Sequence, residues 1–210
     1  GDYWYGMALS YNLDKFSIYN YNNPLRGYLY PLMAYALHKL AYIGIGAERL
    51  NFFIATSILY TICFMVLIPK IIKLMFEIDI SIPQRLIYSV ICTIMFRGMI
   101  LYPLTDLPGI MLVCLAIYFF LLLMKDKVKR KWMQVLYAGG IGVGLGGAYY
   151  VRPVYLIVWL AFSGMAITYM IRTKKWTLSV ALLGMLIVAM PQICINKVHF
   201  NTYSPMIQTQ

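Results

Sequence analysis

The side chains of this 210-residue chain best suited to chemistry are two acids and three arginines set among long apolar runs. Asp2 heads a polar stretch, GDYWYGMALSYNLDKF, rich in Tyr and Asn. Asp106 lies in the short turn YPLTDLPG between two apolar runs. An acid at the head of a polar loop, with apolar spans behind it, is where a membrane protein could hold a polar substrate beside the bilayer. Each acid also has a plainer reading as a helix cap. Asp2 precedes an amphipathic pattern at Trp4, Met7, Ala8 and Tyr11, and Thr105 or Asp106 precedes a helix opening near Pro108. Arg97 falls inside an apolar run and Arg152-Pro153 at the end of another. A cation so placed is costly unless it pairs with an acid or binds an anion, and the guanidinium fork suits phosphate. For Arg152 the competing reading is snorkelling to lipid headgroups. His38 and His199 belong to no metal-binding spacing.

The elements that must position these groups are membrane helices. The chain is 62% hydrophobic and 12% charged, far from the balance of a soluble domain. Apolar runs predict six spans, at Leu50–Ile68, Leu86–Leu101, Pro108–Met124, Val135–Val151, Pro153–Ile171 and Leu178–Ile195. Several are short against the roughly 20 residues that cross the hydrocarbon. Residues 1–49 read as an extracytoplasmic loop with juxtamembrane helices, 50–195 as the bundle, and 196–210 as the start of a further loop. Within the first of these, Leu29, Leu32, Met33, Ala36, Leu37 and Leu40 form one apolar face, as in a helix lying on the membrane rather than crossing it. The chain opens in a polar loop with no initiator Met, and reads as part of a longer protein with a span upstream.

The net charge of +11 does not point to nucleic acid, because the cations sit in short loops. Lys70, Lys73 and Arg85 follow the first span. Lys125, Lys127, Lys129, Arg130 and Lys131 follow the third, and Arg172, Lys174 and Lys175 the fifth. The alternate loops hold Arg152 or no cation. The positive-inside rule therefore puts the three basic loops in the cytoplasm, with Asp2, Asp106 and Arg152 outside. Cys63, Cys92, Cys114 and Cys194 read as small core residues.

The run GGIGVGLGG contains G-x-G-x-x-G at Gly142, Gly144 and Gly147, but inside an apolar span with no strand before it. Gly140 with Gly144, and Gly142 with Gly146, are instead small-xxx-small pairs for close helix packing. No Ser/His/Asp set, Walker loop or inverted repeat is present.

In order along the chain, several short stretches resemble the GT-C membrane glycosyltransferases, nearest the branch of protein O-mannosyltransferases and lipid A aminoarabinose transferases. Gly1-Asp2-Tyr3 is similar to the acidic head of that family's first outer loop. Asn23 to Leu32, NPLRGYLYPL, is similar to its surface-lying helix, and Pro103 to Pro108 to its second acidic turn. Tyr150-Val151-Arg152-Pro153 resembles an Arg-Pro span end, and Pro191 to Asn196 with Phe200 to Pro205 the return to the outer side. Tyr3 stands where the family has a second acid, and Arg26 near its usual Lys.

The resemblance implies an all-α, GT-C-like bundle in the plasma (inner) membrane. It implies transfer of a hexose or pentose from a polyprenyl-phosphate donor to a lipid or glycan hydroxyl on the outer face, in cell-envelope synthesis. Asp2 would take the hydroxyl proton, and Asp106 would orient the acceptor or a metal. Arg26, Arg97, Arg152 and His199 would hold the donor. A divalent cation remains open, since the leading acidic pair is incomplete. The rival reading, from another class, is a flippase or transporter of lipid-linked sugar, which needs the arginines but no essential acid.

Overall fold

The computed structural model describes residues 27–33, 36, 48–98, 105–173 and 176–206, and among these every regular element is helical. The first long helix is a composite of α1 (Glu48–Thr61), a π-helical stretch (Ile62–Leu67) and α2 (Ile68–Phe76). Pro69, in the first turn of α2, has no N–H to give the preceding turn. The widened register just before it takes up the mismatch while Cys63, Phe64 and Leu67 stay buried. The loop into α3 (Ile82–Met95) ends in a capping box between Ser81 and Gln84, with a Pro in the first turn. Then come α4 (Asp106–Met124), α5 (Lys131–Val151), a short 3₁₀ turn (Pro153–Tyr155), α6 (Leu156–Thr173) and α7 (Ser179–Phe200).

Four segments are long and apolar enough to cross a membrane: Phe53–Phe76, Asp106–Met124, Pro153–Thr173 and Ser179–Phe200. The fold is thus that of a helical membrane bundle, and four of the six expected spans overlap these segments. The segment expected at Leu86–Leu101 forms a helix of 14 residues over Ile82–Met95. Helix resumes at Arg97 and Gly98, and residues 99–101 of the expected span lie outside the described residues. The segment expected at Val135–Val151 is a full helix of 21 residues, yet it is not among the four. Its glycines lower its hydropathy, and from Ala138 to Val151 all its residues but Val143 are buried or half-buried. The first span also runs eight residues beyond Ile68, so Lys70 and Lys73 are on a helix rather than in a loop.

The centre of the bundle is α5. Gly140 and Gly144 face Phe119, Leu112 and Ala116 of α4, whereas Gly142 and Gly146 face Ala181, Met185 and Val188 of α7. A β-carbon on Gly142 would run into the Ala181 carbonyl oxygen, and one on Gly184 into that of Gly139. The two small-xxx-small pairs therefore serve two different neighbours, one on each side of the helix. Ala116, Phe120, Ile141, Leu145, Phe162 and Met185 fill the space between α4, α5, α6 and α7. A second cluster, Tyr60, Cys63, Phe64, Cys92 and Leu107, ties the π-helical stretch and α3 to α4. All four cysteines are free.

Cross-links fix the ends of the bundle. Arg152 meets Asp106 at one end, while Lys125 meets Glu77 and the Tyr169 hydroxyl donates to the Met124 carbonyl at the other. Acid and Arg-Pro turns thus share one end, and the lysines of α2 and of the α4–α5 loop share the opposite one.

Candidate functional site at the Asp106–Arg152 end

Asp106 is the first residue of α4, and Arg152 follows the last residue of α5 in an extended conformation. Thr105, at the N-cap, makes no side-chain capping bond, and the Asp106 carboxylate pairs with the Arg152 guanidinium. The two side chains are 30% and 33% exposed, so the pair is neither sealed in the core nor free in solvent. Pro153 bars the helix from continuing through Arg152, and the turn it starts brings Tyr155 over α4. There the Tyr155 hydroxyl donates to the Asp106 carbonyl at 3.4 Å, and its ring lies where a side chain on Gly109 would be. Gly109 is therefore required by the approach of Tyr155.

Toward the same end of α5, on its α6 and α7 side, an apolar cavity of about 280 Å³ opens, with neither Asp106 nor Arg152 in its lining. Tyr149, Tyr150 and Leu156, which bracket Arg152 in sequence, line it with Trp159, Met185 and Pro205. The Trp159 indole N–H is directed at the Met185 sulfur, 2.8 Å away. The cavity's lining is nearly all hydrocarbon, and Arg152 is the charged residue nearest to it along the chain.

A folded-back loop forms one wall. After α7 ends at Phe200, Asn201 takes a left-handed conformation and residues 202–206 return toward α5. The fully buried Asn196 holds them, its Nδ2 donating to the Ser204 and Met206 carbonyls at 2.6 and 2.7 Å. Its Oδ1 accepts from Gln192 Nε2 at 3.1 Å. The Tyr150 hydroxyl donates to the Pro205 carbonyl at 2.6 Å and completes the closure. Asn196 can stay in a helix that was expected to end at Ile195 because its polar atoms are satisfied by this loop.

Residues 27–33 pack against α5 and α7 at this end. Gly27 packs against the Tyr150 backbone with no space for a β-carbon, and the Tyr28 hydroxyl donates to the Val188 carbonyl at 2.7 Å. Burial pushes the Tyr28 phenol up to about 12, so it remains a proton donor at any working pH.

Of the residues singled out from sequence, Asp106 and Arg152 are thus brought into contact. Arg97 is exposed just beyond α3 and is joined to neither by any hydrogen bond or ion pair among the described residues. His199 is in the last turn of α7, with its ring 6.5 Å from that of Phe200. Asp2, Arg26 and His38 lie outside the described residues, as does most of the surface-lying helix expected from Tyr28 to Gly44. No group of three or more His, Cys, Asp or Glu side chains among the described residues could hold a metal ion. Tyr150, Tyr155 and Trp159 were not marked by spacing as part of the site, since aromatic residues make up 16% of the chain.

Comparison with protein-family models, with curated proteins and with solved structures found no match to this chain.

Proposed function

We propose that this chain is the membrane-embedded part of a glycosyltransferase that moves a sugar from a polyprenyl-phosphate donor to an acceptor hydroxyl at the Asp106–Arg152 end of the bundle. The observation that carries the reading is one juxtaposition. A guanidinium, held by a carboxylate and partly open to solvent, lies two residues along the chain from Tyr150, which lines an apolar cavity. A lipid-linked sugar phosphate has that same division between anionic head and apolar tail.

In this reading the tail enters between α6 and α7, and the donor phosphate competes with Asp106 for Arg152. The guanidinium then neutralises charge on the departing lipid phosphate. The released Asp106 carboxylate orients the acceptor hydroxyl or a metal, and Asp2 takes the hydroxyl proton as general base. Arg26 and His199 are further candidates for the headgroup. The exposed Arg97 is a weaker one.

Donor binding tests the phosphate assignment. Decaprenyl phosphate, titrated into the purified full chain in detergent, supplies head and tail without prejudging the sugar. Arg152→Lys keeps the charge but loses the planar fork, so binding should weaken by roughly tenfold, the worth of about 1.4 kcal/mol, and further in Arg152→Ala. Unchanged affinity in both variants removes Arg152 from the site. A flippase would share this binding but would tolerate loss of the acids, which an assay of transfer separates.

A further inference from the structure

We propose that the opposite, lysine-bearing end of the bundle holds a second anion site, a pocket for a phosphomonoester or diphosphate group such as an anionic lipid headgroup carries. It is independent of the reading given for the Asp106–Arg152 end. Lys70, Lys73, Leu74 and Glu77 recur at i, i+3, i+4 and i+7, so α2 presents them on one face. That face meets the end of α4, and a cavity of about 360 Å³ lies between them, lined also by Tyr118, Lys125 and Lys127.

Two tight chain reversals position the lysines. Glu77 ends α2 with φ 61°, its N–H returning to the Lys73 carbonyl. Asp126 ends α4 with φ 50°, after which the Lys127 N–H returns to the Leu122 carbonyl.

The charge count favours an anion. Four lysines and one Glu line the cavity. Lys73 pairs with Asp79 at 2.6 Å and Lys125 with Glu77 at 3.6 Å, while Lys70 stands 5.9 Å over the Tyr118 ring. With Glu77, Asp79 and Asp126 all counted against the four lysines the group is still positive. Several ammonium groups around one cavity match a phosphate bearing close to two negative charges better than a lone carboxylate. The position matters as much as the charge. The pocket sits where the apolar segments ending at Phe76 and Met124 run out, with Leu74 and Tyr118 in its wall, as a site at headgroup level would have.

The test uses the purified full chain in nonionic detergent, titrated with short-chain phosphatidic acid, with phosphatidylcholine of equal chain length and with inorganic pyrophosphate. Phosphatidic acid should bind and phosphatidylcholine should not. Lys70→Gln/Lys127→Gln should weaken phosphatidic acid by roughly thirtyfold, from about 1 kcal/mol per lysine near a headgroup. Glu77→Gln/Asp79→Asn should tighten it, a direction that damage to the fold does not produce. Lys129→Gln/Arg130→Gln, adjacent in sequence but outside the lining, should change it by less than about twofold. Pyrophosphate binding as tightly as phosphatidic acid, with the same response to the variants, assigns the pocket to a soluble phosphate; weak pyrophosphate binding assigns it to the lipid. The proposal is overturned if neither anion binds, or if the Lys129/Arg130 variant costs as much as the Lys70/Lys127 variant.

Discussion

At the scale of single residues, Asp106 satisfies two demands from one position. As the first residue of α4 it favours the helix N-terminus electrostatically, and its carboxylate also holds Arg152 across the bundle end. The sequence shows both candidates, because an acid before Pro108 and an Arg-Pro at a span end are local signals. That they pair is a consequence of α4 and α5 running antiparallel side by side, which neither signal contains. Asn196 is a similar case. It is legible as a polar residue after a proline, but its work of holding a returning loop depends on backbone carbonyls eight and ten residues away. Asn196→Ala leaves the Ser204 and Met206 carbonyls without that donor. It should cost about 1–3 kcal/mol, with earlier cleavage in residues 201–206 on limited proteolysis. If thermal stability and cleavage both match wild type, Asn196 is not what holds the loop.

At the scale of elements, the glycine run gives the sharpest expectation. Gly142 faces the Ala181 carbonyl, backbone that cannot swing aside, whereas Gly164 in α6 has nothing within 4 Å of where its β-carbon would stand. Gly142→Ala should destabilise the bundle by about 1–3 kcal/mol through overpacking. Gly164→Ala should be neutral or gain up to about 1 kcal/mol of helix propensity. Thermal unfolding of the two variants in one detergent measures the contrast, and equal shifts would refute the packing assigned to α5. Helix existence was legible here from apolar run length. Helix ends were less so, because they depend on short-range details such as the Ser81–Gln84 box that starts α3 early and the π-helical stretch that carries the first span through Pro69. The missing apolarity of α5 follows from burial between α4 and α7, which composition alone does not reveal.

At the scale of the whole molecule, the fold sorts charge to two ends. Asp106 and Arg152 stand at one, and Lys70, Lys73, Lys125 and Lys127 at the other. The positive-inside rule predicts that the lysine end faces the cytoplasm. Single cysteines at positions 106 and 127, in a background without the four native ones, should then label from opposite sides of a sealed vesicle, with position 127 reached only from the cytoplasmic side. Labelling of both from one side contradicts this arrangement. The central claim is that the Asp106–Arg152 end carries out transfer. The most direct measurement is the rate at which polyprenyl phosphate is released from a panel of polyprenyl-phosphate hexoses and pentoses by the full chain in native membrane lipids, compared between wild type and Asp2→Asn. Asn caps a helix about as well as Asp but is a far poorer proton acceptor, so the variant should fold and bind donor normally. Its release rate should fall by roughly 10²–10⁴-fold, the usual contribution of a positioned base. Release within a few-fold of wild type would show that Asp2 is no base, and would contradict the account of transfer at this end.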